Sequence, residues 1–425
     1  MGFQQGLSGL NAASKNLDVI GHNIANVNTT GFKSSRGEFA AMVASAIGIS
    51  GGMNAGIGVE VEAITQQFSQ GNINVTGNSL DVAINGNGFF AVKQTDGSPA
   101  FTRAGNFKLD STGNLITNNG SQVMGYPTDP VTGTRTSSAP APLTFPTAAP
   151  IAAKQTDRID ASFNLDARAP AAASTTPPTP RSTYGTSVNV YDSQGVATAV
   201  SLYFQKSATP NTWEVYTTLD KTIEPDGGPR TITFDGNGQI TSVTPAPTPP
   251  ATGLQLTLNV DPSAANPNAG AAAPNAPTPF DVTLDLTNVT QFGTKFTVSD
   301  LQQNGYTSGQ LTGINIGPDG VILTRYSNGV TRSEGQVALA SFRNAQGLTP
   351  VGGNNWVQSF ESGEPTMGAP TDGNFGALRA GALEESNVDL TAELVNMMTA
   401  QRAYQANAQT IKTQDQVMST IVNLR

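Results

Sequence analysis

Cysteine is absent from the 425-residue sequence, and histidine occurs once, as His22. Without thiols the chain has no disulfides, and zinc ribbons, iron–sulfur clusters and cysteine nucleophiles are excluded. A single imidazole also excludes metal sites that need two histidine ligands and most histidine-based catalysis. The sequence holds no catalytic constellation, and we expect no catalytic, cofactor-binding or metal-binding residues.

Charged residues and long apolar runs are scarce as well. Only 12% of the residues are charged, and the net charge of −9 with a pI near 4.7 comes without any cluster of Lys and Arg. Nucleic acids and anionic membranes are bound through such clusters, so we expect neither partner. No window of about 18 apolar residues exists, and the N-terminus has no basic stretch before an apolar core, so we expect neither membrane insertion nor a cleaved signal peptide. Composition alone predicts a soluble cytoplasmic protein.

Glycine and proline are abundant, with 45 and 27 residues. The chain is also longer than the roughly 250 to 300 residues that one hydrophobic core supports. Short runs of strand composition lie between turn residues, for example Phe89–Lys93 and Gln336–Phe342. The predicted fold class is a multidomain α + all-β protein. Helices from both chain ends form a coiled coil, and of two mainly antiparallel β domains, of barrel or sandwich type, one is inserted in the other.

The C-terminal segment has the clearest periodicity. Apolar side chains recur at alternating steps of four and three residues, with polar Gln401 and Asp415 as interruptions. The segment contains no Gly or Pro, and Ser386 to Asp389 has the spacing of a capping box. We predict one helix of about 35 residues that begins at Leu390. Its apolar stripe consists of Leu390, Leu394, Met397, Tyr404, Ala408, Ile411, Met418 and Val422.

The N-terminal segment repeats this pattern more weakly and predicts a second helix that ends near Asn28 to Gly31. Three internal glycines, Gly6, Gly9 and Gly21, each cost about 1 kcal/mol relative to Ala, so we expect this helix to be disordered in isolation. Small residues also allow a close approach to another helix. The predicted apolar stripe consists of Phe3, Leu7, Leu10, Leu17 and Ile24.

Composition shifts along the chain predict four nested parts. Residues 1–30 with 386–425 form a terminal coiled-coil assembly domain, and residues 31–71 with 362–385 form a linker region of extended or irregular structure. Residues 72–146 with 301–361 form an inner β domain. Residues 147–300, which include stretches rich in Pro, Ala and Thr, form an inserted outer β domain.

Two motifs resemble ligand sites without meeting their requirements. Residues 85–91 match the glycine pattern of a dinucleotide-binding loop, with Asp110 further on, yet strand-type rather than helix-type sequence follows. Residues 235–238 resemble half a calcium loop without its other oxygen ligands. We predict hairpin turns at both.

Two other functions stay open as alternatives. One is a glycosidase with paired carboxylates on a β scaffold, and the other is a secreted β-rich adhesin.

The two end helices are unusual for a dimeric coiled coil, whose flanks normally carry Glu and Lys. The C-terminal helix carries few charges among many Asn, Gln, Ala and Thr residues. Its outer faces are therefore expected to be contacted, by the other end helix and by neighbouring copies of the chain. Contacts of this kind that do not close on themselves produce an open helical polymer.

Three stretches of the chain resemble the axial proteins of the bacterial flagellum, which are the rod and hook subunits. They cover both chain ends and the first β domain: residues 6–13 with 23–33, residues 85–92 with 101–107, and residues 381–407. The motif residues are Asn23, Asn26, Thr30, Gly31, Phe32, Lys33, Gly86, Gly88, Phe89, Phe90, Arg103, Gly105, Phe107, Ser386, Asn387, Val388 and Asp389.

The resemblance implies a hook subunit, because rod subunits are shorter and lack a large β insertion. The alternatives are a distal rod or hook–filament junction subunit. The implied function is self-assembly into a flexible curved tube, a universal joint that passes motor torque from rod to filament. The implied partners are copies of the chain, the distal rod protein, the hook cap, the hook–filament junction protein and the flagellar type III export apparatus. The implied location is the hook, outside the cell, reached by export without a cleaved signal peptide.

Overall fold

The structure is a computed structural model and describes residues 2–43, 56–146, 150–171, 184–219, 230–244, 254–262 and 278–423. The chain divides into two compact units. Unit 1 comprises Met1–Ala148, Thr312–Arg325 and Thr331–Arg425, and unit 2 comprises Ala149–Leu311 and Tyr326–Val330.

Most of the regular structure is β-strand, with a helix at each end of the chain, as predicted. Helix α1 spans Gly2–Ala25, helix α2 spans Leu390–Asn423, and a short 3-10 helix spans Ala345–Gly347. The strands are β1 (Ser35–Val43), β2 (Gly56–Gln66), β3 (Ile73–Val75), β4 (Val82–Asn85), β5 (Phe89–Lys93), β6 (Pro99–Thr102), β7 (Lys108–Leu109), β8 (Leu115–Ile116), β9 (Gln122–Tyr126), β10 (Ala141–Pro142), β11 (Arg158–Asp166), β12 (Tyr184–Tyr191), β13 (Ala197–Lys206), β14 (Thr212–Leu219), β15 (Arg230–Phe234), β16 (Ile240–Thr244), β17 (Gln255–Val260), β18 (Phe280–Asp285), β19 (Thr290–Phe292), β20 (Thr297–Gln303), β21 (Leu311–Ile316), β22 (Val321–Tyr326), β23 (Thr331–Val337), β24 (Leu339–Ser341), β25 (Thr349–Gly352), β26 (Asn355–Val357), β27 (Thr366–Gly368), β28 (Ala377–Ala380) and β29 (Ala382–Glu384).

The two end helices pack against each other in antiparallel orientation. Gly6 near the start of α1 faces Ile411 in the second half of α2, and Asn23 near the end of α1 hydrogen-bonds Glu393 in the first turn of α2. Helix α2 begins at the predicted residue and is 34 residues long. Helix α1 ends a few residues earlier than predicted, and the chain then turns through residues 26–31.

The start of α2 is capped by Asp389. One of its carboxylate oxygens accepts hydrogen bonds from the backbone N–H groups of Thr391 (2.9 Å) and Ala392 (3.1 Å). The hydroxyl of Ser386 instead accepts from the N–H of Val388, before the helix begins. The predicted capping box is therefore wrong, because the aspartate itself occupies the capping position that the box assigns to the serine.

The segments predicted to be a linker contain regular strands. β1 and β2 form a long antiparallel hairpin that packs on α1. In the returning segment, β28 pairs with β4 and β29 pairs with β3. The expected extended or irregular linker is therefore extended, and its regular strand pairing is the part that was not predicted. The hairpin leaves apolar side chains such as Phe39 and Ile64 exposed. The end of β1, residues 39–43, lacks the alternation of apolar and polar residues that identifies a strand in a sequence, whereas β2 shows it at residues 59–62.

A 13-stranded sheet, whose strands differ in length, forms the body of unit 1. Its main strand order is β21-β22-β23-β9-β5-β6-β26-β25, and β24 joins β5 to β27. One face covers a core that includes Phe90, Phe107 and Leu339. A second cluster, with Phe89, Phe101 and Trp356, forms a separate core in the same unit.

Unit 2 consists of two five-stranded sheets around one core. One sheet is a meander in the order β12-β13-β14-β15-β16, and the other has the order β17-β18-β11-β19, with β20 also paired to β11. Both sheets contribute to the buried cluster around Phe163, Phe204 and Trp213. β11 runs parallel to β18 and β19, so the second sheet departs locally from the predicted antiparallel pairing.

Candidate assembly surface

The seam between the end helices is formed by small residues of α1. Gly6 and Gly9 lie directly against α2: a Cβ atom on Gly6 would be 3.0 Å from Cγ1 of Ile411, and one on Gly9 would be 2.9 Å from the side chain of Asn407. Ala13 and Ile20 continue the same buried face. The glycines that weaken the isolated helix therefore allow this close approach. Gly21 has no neighbour within 4 Å of the corresponding position.

The predicted apolar stripe of α1 lies beside this seam. Phe3 and Leu7 are 51% and 44% exposed. Leu10, Leu17 and Ile24 are half-buried. The buried face is displaced by one residue from the predicted stripe, which leaves large apolar side chains on the open side of the helix.

Helix α2 has an even more open apolar surface. Of the predicted stripe, Met397, Ala408 and Ile411 are half-buried, and the side chain of Val422 lies outside the described part of the structure. The large apolar side chains of α2 that are exposed, among those described, are Leu390, Leu394, Val395, Met398, Tyr404, Val417 and Met418, with exposed fractions between 38% and 61%. A long exposed apolar surface of this kind marks an interaction site.

A buried ion cluster connects the helices to the sheet. Lys33 Nζ lies 2.5 Å from one carboxylate oxygen of Glu384, and Arg103 Nη1 lies 3.2 Å from the other. The Lys33 and Glu384 side chains have no exposed surface. Lys33 also donates to the carbonyl oxygen of Ser69, and the backbone N–H of Gly71 donates to Glu384. One carboxylate thus ties together the segment after α1, the segment before α2 and the β sheet.

Burial affects the protonation of both cations. It lowers the pKa of the Lys33 ammonium, and the Glu384 carboxylate opposes that effect. Burial likewise lowers the pKa of the Arg103 guanidinium, again against the pull of Glu384. The Arg103 group also lies 5.2 Å from the centre of the Phe89 ring, while its Nε atom has no hydrogen-bond partner within the described part of the chain. Formation of the cluster therefore carries a large desolvation cost, which the attraction between Glu384 and the two cations must offset.

Amide side chains of the motif extend this junction. Asn387 accepts a hydrogen bond from the backbone of Ser34 (2.7 Å) and donates to the carbonyl oxygen of Gln67 (2.7 Å). Asn23 exchanges two hydrogen bonds of 2.8 Å with the backbone of Ser35. These amides hydrogen-bond segments that are far apart in sequence. They attach the end of α1 and the start of α2 to the hairpin β1–β2.

Other motif residues close the turn after α1. Asn26 donates to the carbonyl oxygen of His22 and so satisfies the end of the helix. The carbonyl oxygen of Thr30 accepts from the side chain of Asn354. Gly31 has a φ of +69°, and a Cβ there would lie 2.6 Å from the backbone nitrogen of Ala104. Only glycine fits this position.

The remaining motif residues are structural. Gly86 and Gly88 have φ values of +117° and +121°, and a strand, β5, follows them instead of the helix that a dinucleotide loop requires. The predicted hairpin turn is wrong, because β4 pairs with β28 whereas β5 pairs with β6, β9 and β24. Phe90 and Phe107 pack edge to face in the core of unit 1. A Cβ on Gly105 would overlap the carbonyl oxygen of Val82. Phe32 is buried against the ring of His22.

The two acidic turn motifs hold their own backbone. Asp110 accepts from the backbone N–H groups of Thr112 and Asn114, and hydrogen bonds from these residues lower the pKa of Asp110 to about 2. Asp235 accepts in the same way from residues 237 and 239 at the tip of the β15–β16 hairpin, as predicted for that segment. Within the part of the chain that the structure describes, no helix is long and apolar enough to cross a membrane.

Four family models match the sequence. They are the flagella basal body rod protein (residues 3–33), the flagellar hook protein FlgE/F/G D1 domain (83–157), the flagellar basal body protein FlaE D2 domain (164–306) and the flagellar basal body rod FlgEFG protein C-terminal model (379–424).

Similarity to individual proteins extends over the whole chain. The sequence is 41% identical to the flagellar hook protein FlgE of Escherichia coli (strain K12), with 100% of each chain covered. It is 35% identical to FlgE of Treponema pallidum (strain Nichols), with 99% of this chain and 98% of the relative covered. The crystal structure of Helicobacter pylori flagellar hook protein FlgE2 covers 73% of this chain and 100% of its own, with a TM-score of 0.53 at 16% identity, which is a likeness of fold.

Proposed function

The chain belongs to the flagellar hook protein family, and we propose that it assembles into the hook tube through a coiled coil of its two terminal helices. It is a structural subunit of the flagellar hook and not an enzyme. The rod, junction, glycosidase and adhesin alternatives are therefore set aside.

The observation that carries the assembly proposal is the open apolar surface of α2. Leu394 and Met398 lie one helical turn apart and are 46% and 53% exposed. Full burial of such a side chain contributes about 1.5 to 3 kcal/mol, so covering the exposed half contributes about 1 kcal/mol for each. Several of these side chains, together with Phe3 and Leu7 of α1, supply enough free energy to offset part of the entropic cost of assembly.

The buried ion cluster supports the torque-carrying part of the proposal. A universal joint needs subunits that are internally stiff while the contacts between them rearrange. Lys33, Arg103 and Glu384 bind both helix ends to the sheet of unit 1 through ion pairs that exclude water. The low overall charge and the polar Asn, Thr and Gln residues suit contacts between subunits that slide.

We propose the four-part division for the assembled subunit: residues 1–30 with 386–425 for assembly, 31–71 with 362–385 as connection, 72–146 with 301–361 as inner β domain, and 147–300 as outer β domain. The proposed partners are other copies of the chain, the distal rod protein, the hook cap, the hook–filament junction protein and the type III export apparatus. The proposed location is the extracellular hook, reached without cleavage of a signal peptide.

Deletion of residues 390–425 tests the role of α2. We expect a soluble monomer with folded β units, because the cores of both units lie outside this segment. Polymerisation should be lost, as measured by sedimentation and electron microscopy under conditions in which the full chain forms filaments. Filaments formed by the truncated chain would contradict the assignment of assembly to the helix.

A point substitution separates the surface of α2 from its folding. Met398→Gln removes apolar surface at an exposed position, whereas the matched control Met398→Leu keeps it. We expect Met398→Gln to raise the critical concentration for polymerisation several-fold and Met398→Leu to leave it nearly unchanged. Equal critical concentrations for the two variants would show that this face stays uncovered in the polymer.

A further inference from the structure

A small polar cavity of about 250 Å³ lies in unit 1, between α1, the start of β1 and the first half of α2. Among the residues that line it, Glu393 is the one acid and Arg36 is the one base. Arg36 forms its ion pair with Glu38 instead, with 2.9 Å between Nη2 and Oε1. The cavity thus contains a cation and an anion of opposite charge that are paired with other groups or only partly paired.

The carboxylate of Glu393 is only half satisfied. Its Oε1 atom accepts a hydrogen bond of 3.2 Å from the amide of Asn23. Its Oε2 atom has almost no exposed surface and no hydrogen-bond partner within the part of the chain that the structure describes. A buried carboxylate oxygen without a donor carries an uncompensated desolvation cost. A further donor at Oε2 would therefore stabilise the subunit.

Arg36 is close enough to supply that donor. The amide nitrogen of Asn23 donates both to Glu393 and to the carbonyl oxygen of Ser35 (2.8 Å), so a single nitrogen atom lies between the carboxylate and the backbone next to Arg36. Asn23 is 1% exposed and also accepts from the N–H of Ser35, so this spacing is fixed. A guanidinium group has five donors and matches the geometry of a carboxylate.

Arg36 can leave its present partner at little cost. The side chains of Arg36 and Glu38 are 66% and 39% exposed, and ion pairs on the surface contribute little to stability. Glu38 also accepts a hydrogen bond of 3.1 Å from the hydroxyl of Thr65, so it would keep a partner without Arg36. The monomer has little reason to hold the long Arg36 side chain in the cavity, because ordering it costs conformational entropy.

We propose that Arg36 exchanges Glu38 for Glu393 when the subunit enters the polymer. The inference rests on the self-assembly proposed above and adds a step inside the subunit. Leu390 and Leu394, on either side of Glu393 in the sequence, are 42% and 46% exposed and belong to the surface that neighbouring copies cover. Covering this surface removes water from around Glu393, which strengthens attraction between charges and penalises an unsatisfied oxygen. The new pair joins the hairpin β1–β2 to the start of α2, so the subunit becomes stiffer only when it is assembled.

A double-mutant cycle tests the exchange. The critical concentration for polymerisation is measured by sedimentation for Arg36→Gln, Glu393→Gln and the double variant; glutamine at residue 393 keeps an oxygen for Asn23. We expect each single substitution to raise the critical concentration by about ten-fold, and the double variant to resemble the singles, because either change removes the same pair. In urea unfolding of the monomer the two substitutions should be additive. Additive effects on polymerisation, or equal coupling in the monomer, would overturn the proposal.

Glu38→Gln is the matched control, because it removes the competing carboxylate and leaves Arg36 and Glu393 in place. We expect it not to raise the critical concentration. A rise as large as that of Glu393→Gln would mean that Arg36 acts from its position in the monomer, and the exchange would be wrong. Folding of each variant is checked through the fluorescence of buried Trp356.

The reactivity of Arg36 gives a direct measurement of its position. Monomers and polymers are treated with phenylglyoxal, which modifies arginine, and the peptide with Arg36 is quantified by mass spectrometry. Arg36 should react in the monomer and be protected in polymers of the unmodified chain and of Glu38→Gln, but it should react in polymers of Glu393→Gln. Equal protection in Glu393→Gln polymers would overturn the exchange and leave helix-driven assembly standing. Failure of the unmodified chain to polymerise would instead contradict the proposed function.

Discussion

Replacing Glu384 by glutamine should destabilise unit 1 strongly. Glutamine keeps the size of the side chain and one acceptor oxygen, but it removes the one carboxylate that pairs with Lys33 and Arg103 among the described residues. Both cations would then remain buried without a counter-charge. The substitution therefore isolates the electrostatic part of the junction from its packing.

The expected magnitude follows from the burial of the three groups. The Lys33 and Glu384 side chains are 0% exposed and that of Arg103 is 5% exposed, so screening by water is slight. Removal of one partner from a buried ion pair costs about 3 to 5 kcal/mol, against a total stability of about 5 to 15 kcal/mol for a domain. With a urea dependence of about 2 to 3 kcal/mol per M, the midpoint of unfolding should fall by about 1 to 2.5 M.

The two tryptophans of the sequence allow each unit to be followed separately. Trp356 is buried in unit 1 and Trp213 is buried in unit 2. In a Trp213→Phe background, the fluorescence of the monomer during urea unfolding reports unit 1, and Glu384→Gln should shift that transition. In a Trp356→Phe background, the same substitution should leave the transition of unit 2 unchanged, because Glu384 belongs to unit 1.

A triple variant distinguishes a buried unpaired charge from a loss of shape. Apolar replacement of the whole cluster, by Lys33→Met, Arg103→Met and Glu384→Leu, removes the desolvation cost together with the attraction. We expect it to be clearly more stable than Glu384→Gln alone. A shift below about 1 kcal/mol for Glu384→Gln, or a triple variant no more stable than the single one, would refute the reasoning.

Two further predictions concern glycines and use matched controls. Gly31→Ala should lower the thermal stability of unit 1 more than Gly77→Ala does. Both residues have positive φ values (+69° and +78°), but only at Gly31 would the added Cβ meet the backbone of another segment. Calorimetry of the monomer checks the order, and equal losses would contradict it. Gly21→Ala should stabilise α1 by about 1 kcal/mol. Gly6→Ala should lack this gain because its methyl group would lie 3.0 Å from Ile411. Thermal unfolding followed by circular dichroism checks this. An equal gain for both variants would mean that the contact between the helices can accommodate the extra methyl group.

The C-terminal helix could be predicted almost completely from the sequence because its signals are local. A heptad pattern with only two polar interruptions and the absence of Gly and Pro fix its length, and Asp389 next to Leu390 fixes its start. The identity of the capping residue was missed, although Asp389 is itself a preferred N-cap residue. Both aspartate and serine satisfy the preference, and only the backbone geometry distinguishes them.

The buried face of α1 was predicted one residue out of place for a different reason. Apolar periodicity identifies the large side chains, but the closest approach of two helices requires small ones, here Gly6, Gly9 and Ala13. The large side chains then lie beside the contact. A similar limit applies to Gln336–Phe342, predicted as one strand: the chain changes partners at Ala338, from β9 to β5, and no residue type marks that change.

The role of Glu384 in the buried ion cluster could not be predicted from the sequence. Lys33 and Arg103 were identified by their motifs, but the carboxylate that pairs with both was not, although it stands two residues before Ser386 in a stretch that resembles the same family. Its partners are 351 and 281 residues away in the chain, a separation over which periodicity and spacing carry no information. Charge alone would have reduced the number of candidate partners. Only 12% of the residues are charged, and two buried cations require an anionic partner, so few carboxylates could have filled that role. The prediction for Glu384→Gln tests that argument, since an exposed Glu384 would leave stability nearly unchanged when neutralised.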